Sequence, residues 1–317
     1  MSEGRLSRRE FLVATGLGLA GAALPGCATP PARPEPIVDI HQHVNYSNRP
    51  DEMLLQHQRA LGVTMTILLP AGRHVNSMAT HEGVSNGLEA KALGNEACYE
   101  FAQAHPREFR FAANEVSDLE GATAEIEKYL NLGAVMIAEQ KFGVECDAPA
   151  MQQIYSLAQA HDVPVLMHWQ FQRYNYGFER FHRMLGKYPR VNFIGHAQTW
   201  WAHVDKDYQD DAKNLYPKGT INPGGLTERY LADYPNMFGD LSAGSGLNAL
   251  TRDETFTPGF FQRHQDKLMY GSDCNDHEGT GAMCQGAQTI AAIRRFAPNQ
   301  KIARKLLYGN AKKLFRL

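Results

Sequence analysis

The sequence lacks the features of a nucleic-acid-binding protein or a disulfide-bonded scaffold. Its 317 residues carry 32 Lys and Arg against 34 Asp and Glu, so the formal net charge is −2. There is neither a basic field for nucleic acid nor an acidic tail. Five cysteines are too few for a disulfide framework at this length, and the CxxC pair of a zinc ribbon is absent. We therefore expect small-molecule substrates and no nucleic acid, and the composition is compatible with a homo-oligomer.

Residues 1–36 differ in composition from the rest of the chain. Arg8 and Arg9 precede an apolar run from Phe11 to Leu24, and a Pro-rich stretch follows it. A charged start, a short apolar run and a small-residue exit predict a signal peptide, because the run is too short for a stable membrane-spanning helix. The Arg pair resembles the bacterial twin-arginine export signal. An N-terminal amphipathic helix is the alternative.

The end of this leader resembles a lipoprotein cleavage box. Leu24-Pro25-Gly26-Cys27 would make Cys27 the lipidated residue. The alternative is a soluble periplasmic protein with a disordered Pro-rich leader. Either way we expect a periplasmic or envelope-anchored protein whose membrane contact comes only from this segment.

From residue 37 onward, short apolar and β-branched runs alternate with amphipathic ones, such as 122–130 and 151–160. Alternating strands and helices predict parallel pairing, and eight such units predict a single-domain α/β structure, the (β/α)8 TIM barrel, over residues 37–317. A doubly wound open sheet is the alternative. The predicted strands cover residues 37–43, 63–69, 109–114, 134–139, 163–168, 191–196, 237–241 and 267–272.

Three further segments have predicted roles outside the strands. Residues 72–95 and 200–225 predict long connections after the second and sixth strands, and long loops in compact domains are usually functional. Residues 301–317 predict a final amphipathic helix on the barrel exterior.

Ionisable residues occur at the ends of several predicted strands. In a barrel of this kind, the carboxyl ends of all strands meet at the face that holds the active site. His41 and His43 lie two apart on one strand, so their side chains point to the same side. Imidazole and carboxylate groups gathered there suit zinc or another divalent transition metal, one ion or two. The predicted ligands are His41, His43, Glu139, His168, His196 and Asp273.

Each ligand taken alone has a simpler interpretation. A histidine at a strand end is often a hydrogen-bonded structural residue, and Asp273 could cap a helix. On the fourth strand, Lys141 competes with Glu139 as the ligand, since both lie on one side of the strand. Six such residues at the same point of the repeat favour the metal centre.

These motifs resemble the amidohydrolase superfamily, and within it the amidohydrolase-related branch, from about Ile37 to the C-terminus. The HxH of the first strand, the histidines of strands five and six, and Gly-Ser-Asp after strand eight carry the resemblance. It implies a (β/α)8 barrel with one or two divalent metals and mostly hydrolytic chemistry. It also implies that His41, His43, His168 and Asp273 are ligands, and that His196 binds a second metal or polarises the substrate.

The expected function is a metal-dependent hydrolase of a small ester, lactone or amide, which acts through metal-activated water. Asp273 would be the general base, and His196 would stabilise the developing oxyanion. The alternative is a metal-dependent decarboxylase of an unsaturated or aromatic carboxylic acid, with Arg73, Arg173 or Arg180 on the substrate carboxylate. A periplasmic binding protein without turnover is a third class.

Aromatic and amide side chains follow strands five and six. They predict an apolar pocket wall for a planar or cyclic substrate, with packing in the core or in a lid as the alternative. Cys274 and Cys284 flank the loop after strand eight and could pair or stay free thiols. The predicted pocket residues are Trp169, Gln170, Tyr174, Gln198 and Trp200.

Overall fold

The computed structural model of the chain describes residues 35–72 and 92–317. The predicted leader as far as residue 34, including Cys27, lies outside these residues, as do Arg73 and most of the connection after the second strand. Glu35–Leu317 form a compact unit.

Eight strands occur where the sequence predicts them, each shorter than its apolar run. Parallel strands covered on both faces consist of continuous apolar residues, and this pattern located them. They are β1 (Val38–Gln42), β2 (Met65–Leu68), β3 (Phe109–Phe111), β4 (Ile137–Gln140), β5 (Val165–His168), β6 (Phe193–His196), β7 (Met237–Asp240) and β8 (Leu268–Met269).

The strands pair in chain order, and every pairing is parallel. One sheet has the order β1-β2-β3 and the other β4-β5-β6-β7-β8. A parallel bridge between Ala113 and Ile137 joins the sheets on one side. On the other side, the Ile40 amide donates to the Tyr270 carbonyl at 3.2 Å. The first strand therefore adjoins the last, which agrees with the closed barrel and not with the doubly wound sheet.

Helices follow most strands, as expected of a barrel. The predicted final helix is wrong in detail, because a π-helical turn at Lys305–Gly309 divides it in two. The loop predicted from Trp200 begins later, since Trp200–Ala202 are still helical. In the described residues the α-helices are α1 (Asp51–Ala60), α2 (Asn95–Ala104), α3 (Ala122–Asn131), α4 (Pro149–His161), α5 (His182–Lys187), α6 (Gln198–Ala202), α7 (Leu226–Asp233), α8 (Ala243–Thr251), α9 (Thr257–His264), α10 (Gln285–Phe296), α11 (Gln300–Arg304) and α12 (Asn310–Phe315).

The buried apolar residues form two clusters. The smaller combines strand side chains such as Ile67, Leu166 and Ile194 with Ala311 and Phe315 of α12. The larger packs the strands against the surrounding helices. Leu166 and Ile194 lie two positions before His168 and His196 on their strands, so their side chains point to the same side as these histidines. The smaller cluster therefore packs next to both histidines, on the side away from the carboxyl ends of the strands.

Among the described residues, no helix combines the length and the apolar character that crossing a membrane requires.

Candidate metal centre

Five of the six predicted ligands meet at the carboxyl ends of the strands. One group joins His41, His43 and Asp273, and another joins His41, Glu139 and His196, with the ligand atoms of each group within 4.8 Å of one another. His43 Nε2 lies 3.5 Å from Asp273 Oδ1, and His41 Nε2 lies 3.6 Å from Glu139 Oε2. His196 Nε2 lies 3.6 Å from Glu139 Oε1. Residues from β1, β4, β6 and the loop after β8 thus form one cluster.

Hydrogen bonds to the outer nitrogens orient three of the imidazoles. His43 Nδ1 donates to the Leu69 carbonyl at 2.8 Å, and His41 Nδ1 lies 2.7 Å from Asp240 Oδ2. His196 Nδ1 lies 3.1 Å from Ser242 Oγ. A carbonyl can only accept, so His43 carries its proton on Nδ1 and presents an Nε2 lone pair to the cluster. Such bonds commonly fix the tautomer of metal-binding histidines.

Asp240, which the sequence reasoning missed, holds two of these imidazoles. It ends β7, is fully buried, and lies 2.7 Å from His41 Nδ1 and 3.3 Å from His196 Nδ1. The Ser242 hydroxyl donates to the same carboxylate at 2.8 Å. The sequence could have predicted Asp240, because it ends its strand in the same way as the predicted ligands end theirs.

Asp39 and Tyr46 are two more residues that the sequence reasoning missed. Asp39 accepts hydrogen bonds from the Ser272 amide at 2.9 Å and from the Ser272 hydroxyl at 2.5 Å, next to Asp273. The Tyr46 ring lies edge-on to His43 at 4.8 Å. The Asp273 charge raises the pKa of the Tyr46 hydroxyl, so Tyr46 stays protonated beside that carboxylate. Asp39 also follows the strand pattern, whereas Tyr46 lies in an irregular turn that the pattern does not cover.

Two buried atoms of the cluster have no hydrogen-bond partner, His41 Nε2 and Asp273 Oδ1. Buried polar atoms are normally satisfied, because an unpaired one costs about 1–3 kcal/mol. Both atoms face the shared space and lie 3.7 Å apart. A nitrogen and oxygen donor set of this kind fits a divalent transition metal.

Charges in the cluster favour a cation. Burial alone would lower the pKa of His41, but the carboxylates of Asp273, Asp240 and Glu139 outweigh burial and raise it well above its usual value. Burial likewise would raise the pKa of Asp240, yet bonds from His196 and His41 lower it to about 2. Asp273 also has a lowered pKa, because its interactions with His41 and His43 outweigh its burial. The carboxylates are therefore ionised and attract positive charge.

His168, the sixth predicted ligand, belongs to neither group. Its Nδ1 lies 2.5 Å from Glu139 Oε1, and its Nε2 lies 3.4 Å from Gln170 Oε1. Of the two candidates on the fourth strand, Glu139 lies among the imidazoles, whereas Lys141 Nζ lies over the Tyr174 ring, 5.5 Å from its centre. Burial and the nearby Lys141 charge lower the pKa of His168 to about 4, so this imidazole is neutral.

The structure corrects the prediction for two of the pocket residues, Trp169 and Trp200. Both are fully buried in the larger core cluster and offer no surface to a ligand. The Trp169 ring packs on Phe181 at 4.8 Å, and the Trp200 ring lies beside Phe178 at 5.8 Å. Trp169 follows His168 directly, so strand alternation turns its ring away from the barrel interior and toward the helices.

The other predicted pocket residues, Gln170, Tyr174 and Gln198, lie closer to the mouth. The Tyr174 ring lies edge-on to His168 at 5.3 Å. Gln170, beside His168, also lines a cleft of about 320 Å³ together with Thr199. Gln198 donates to the Tyr216 hydroxyl at 3.1 Å.

Of the three predicted arginines, the structure describes Arg173 and Arg180. Arg180 forms ion pairs with Asp147, at 2.9 Å, and with Glu145, so its charge is already compensated. Arg173 is exposed and lies over the Tyr174 ring at 5.9 Å.

No protein-family model matches the sequence, and no curated protein is significantly similar to it. Solved structures do resemble the fold. An uncharacterised TIM-barrel protein from Bordetella bronchiseptica superimposes with a TM-score of 0.59 at 13% identity, over 89% of this chain and 98% of that one.

Two further similar structures have printed activities. One is a probable 2-pyrone-4,6-dicarboxylic acid hydrolase from Acinetobacter baumannii, with a TM-score of 0.54 and 13% identity over 89% of this chain and 99% of that one. The other is a dihydroxybenzoic acid decarboxylase from Polaromonas sp. JS666 with bound manganese, with a TM-score of 0.54 and 15% identity over 89% of this chain and 97% of that one. At these identities the comparisons show that the chain has the TIM-barrel fold.

Proposed function

We propose that the chain is a metal-dependent enzyme of the amidohydrolase superfamily that hydrolyses a small ester, lactone or amide. The observation that carries the proposal is the buried cluster at the carboxyl ends of the strands. There, His41 Nε2 and Asp273 Oδ1 face each other without hydrogen-bond partners. A pure binding protein would have little use for such a costly arrangement.

His41, His43, Glu139, His196 and Asp273 are the residues that would hold the metal, which we propose is zinc. A bound divalent cation would supply Lewis acidity and lower the pKa of a water molecule. Elemental analysis of the purified protein identifies the metal, and manganese, which the Polaromonas structure contains, is the alternative that the same donor set would accept.

Asp273 and His196 have positions suited to moving protons and stabilising charge. Asp273 is ionised and directs Oδ1 into the cluster, so it can take a proton from a nucleophile and return it to a leaving group. His196 Nε2 lies 3.7 Å from Asp273 Oδ2. In a centre whose metal is held by the other four residues, a protonated His196 can donate a hydrogen bond to an oxyanion formed beside Asp273.

The test is Asp273→Asn, assayed against a panel of small esters, lactones and amides. Loss of the general base should lower kcat/KM by about 10²- to 10⁴-fold. Asp266→Asn is the matched control, because it removes the same charge from an exposed carboxylate that pairs with Lys305 outside the cluster. Hydrolysis by Asp273→Asn at the wild-type rate would exclude this mechanism.

Decarboxylation is the second candidate, and the position of Lys141 favours it. Its ammonium group lies over the Tyr174 ring, which in turn contacts His168. The Lys141 charge also lowers the pKa of Glu139, against the effect of burial, so the ammonium acts on the cluster. A cation at this edge could bind the carboxylate of an aromatic acid, a role for which Arg180 is less suited.

Measuring carbon dioxide release from hydroxybenzoic acids separates the two candidates. Decarboxylation predicts release by the wild type and a raised KM for Lys141→Met, whereas Lys187→Met, on α5, should behave like the wild type. Hydrolysis without carbon dioxide release would leave the first candidate. Release that is insensitive to Lys141→Met would remove Lys141 from substrate binding.

Export to the periplasm is part of the proposal and depends on the N-terminal leader. Fractionation of cells that express the full chain should place it in the envelope, and Arg8→Lys with Arg9→Lys should retain it in the cytoplasm. Incorporation of a labelled fatty acid that Cys27→Ala abolishes would identify the lipid anchor.

A further inference from the structure

A second group of potential metal ligands lies outside the barrel-mouth cluster. It consists of His57 on α1, Cys274 in the loop after β8, and Cys284 immediately before α10. All three side chains are buried, with exposures of 0%, 3% and 0%. No step of the proposed reaction uses them, so their meeting in the interior needs another explanation.

Two of the three separations between their donor atoms match a tetrahedral zinc site, and all three atoms lie within 4.8 Å of one another. In tetrahedral geometry, zinc–sulfur bonds of about 2.3 Å and zinc–nitrogen bonds of about 2.0 Å place two sulfurs about 3.8 Å apart and a sulfur and a nitrogen about 3.5 Å apart. Cys274 Sγ lies 3.7 Å from Cys284 Sγ, and Cys284 Sγ lies 3.5 Å from His57 Nε2. A disulfide would require sulfurs about 2.05 Å apart.

Surrounding hydrogen bonds point His57 Nε2 at the two sulfurs. The Gln58 amide nitrogen donates to Asp39 Oδ2 and to Thr66 Oγ1, each at 2.8 Å, which fixes the orientation of that amide. The remaining Gln58 Oε1 accepts from His57 Nδ1 at 3.1 Å. The proton therefore lies on Nδ1, and Nε2 presents a lone pair to the sulfurs, as in metal-binding histidines.

The backbone around the two cysteines is also held in place. Arg49 donates to the Cys274 carbonyl at 2.9 Å from a fully buried position. The Ala287 amide, in the first turn of α10, donates to Cys284 Sγ at 3.4 Å. These bonds do not depend on a cation, so the three donors are arranged in advance.

We propose that His57, Cys274 and Cys284 bind a second zinc ion, at a site separate from the candidate catalytic centre. Binding would displace one proton from each thiol to solvent, and neither the metal nor the sulfurs would change oxidation state. With three protein ligands, the fourth position of the zinc would be left to a water molecule or another small ligand. The bound ion would connect α1, α10 and the loop that carries Asp273.

The experiment uses the full chain loaded with cobalt(II), which replaces zinc and gives a near-ultraviolet charge-transfer band only when thiolates bind it. We expect the band in the wild type and in Asp273→Asn. Cys284→Ser should lose it. Cys146→Ser is the matched control, because Cys146 is also a buried free cysteine but donates to the Gly177 carbonyl and does not belong to this group. Cys146→Ser should keep the band.

A second measurement protects the test against misfolding of Cys284→Ser. X-ray absorption of the zinc-loaded wild type should show zinc–sulfur distances of about 2.3 Å, and this measurement needs no variant. Absence of the band from cobalt-loaded wild type would overturn the proposal, as would a Cys274–Cys284 disulfide found by mass spectrometry. The catalytic proposal would survive that result, because its ligands contain no sulfur.

Discussion

Three histidines of the candidate centre use their two ring nitrogens in the same way. In His41, His43 and His196, Nδ1 makes a hydrogen bond outside the cluster and Nε2 faces into it. The partners are a carboxylate, a carbonyl and a hydroxyl. Each ring thus has a fixed orientation before a metal binds, which lowers the entropy lost on binding.

Asp240→Asn tests this orientation at the scale of a single residue. An amide keeps the shape of the carboxylate but accepts less strongly from His41 Nδ1. We expect metal affinity to fall about 10- to 100-fold, as is typical for such supporting residues. Competition with a chelator of known affinity measures it.

Asp253→Asn is the control for this substitution, because Asp253 accepts from the Ile221 and Thr255 amides away from the cluster. Equal affinities of Asp240→Asn and the wild type would mean that Asp240 does not support the ligand.

At the scale of elements, strand ends determine both what the sequence could predict and what it could not. Apolar runs located all eight strands, and charged residues at their ends located five members of the cluster. The same alternation places Trp169 opposite His168, so its burial in the core could have been predicted. The burial of Trp200 could not, since it depends on Gly195, where a Cβ would lie 2.4 Å from the Trp200 ring.

Gly195→Ala tests this close approach of α6 to β6. The added methyl group must displace the indole or the strand that carries His196, at a cost of about 1–3 kcal/mol. Thermal unfolding should show a lower Tm. Gly186→Ala is the control, because nothing lies within 4 Å of its Cβ position on the exposed side of α5. There the change should leave Tm equal or higher, and an equal drop in both variants would contradict the explanation.

Glu228 on α7 gives a pH dependence that is separate from the metal centre. Burial would raise its pKa, but bonds from His264, the Gly224 amide and Arg263 outweigh burial and lower it to about 2. A lowered carboxyl pKa stabilises the folded state above the unfolded value, near 4.5, and this contribution disappears as the pH falls toward 2.

Glu228→Gln should therefore destabilise the protein at pH 7 by on the order of 1–3 kcal/mol. The difference in Tm from the wild type should shrink between pH 4.5 and pH 2. Glu254→Gln, at an exposed ion pair with Arg295, is the control and should change Tm little at any pH. A difference that does not vary with pH would show that the Glu228 charge is not involved.

At the scale of the whole molecule, the candidate centre spans the closure of the barrel. Its residues come from both sheets, and the Asp273 amide donates to the His41 carbonyl at 2.8 Å, across the junction of β8 with β1. The repeat of strand and helix predicts this convergence from the sequence. It does not predict that His168 pairs with Glu139, nor that His57 meets Cys284, because ring orientation and long-range packing decide both.

Removing the metal should accordingly destabilise the molecule as a whole. A ligand that binds only the folded state stabilises it by about 2.7 kcal/mol when its free concentration is 100 times Kd. We expect a chelator to lower Tm and added zinc to restore it, whereas calcium, which prefers all-oxygen sites, should not. If metal-depleted and zinc-reloaded protein had the same Tm, the metal would not join the two sheets.

His41 belongs to both groups of the candidate centre, and its Nδ1 is already engaged by Asp240. A single lone pair on Nε2 can coordinate only one cation at a time, so the two groups compete for this nitrogen. In Cys284→Ser, where the thiolate site is removed, calorimetric titration of the apoprotein should therefore reach its end point after the first equivalent of zinc.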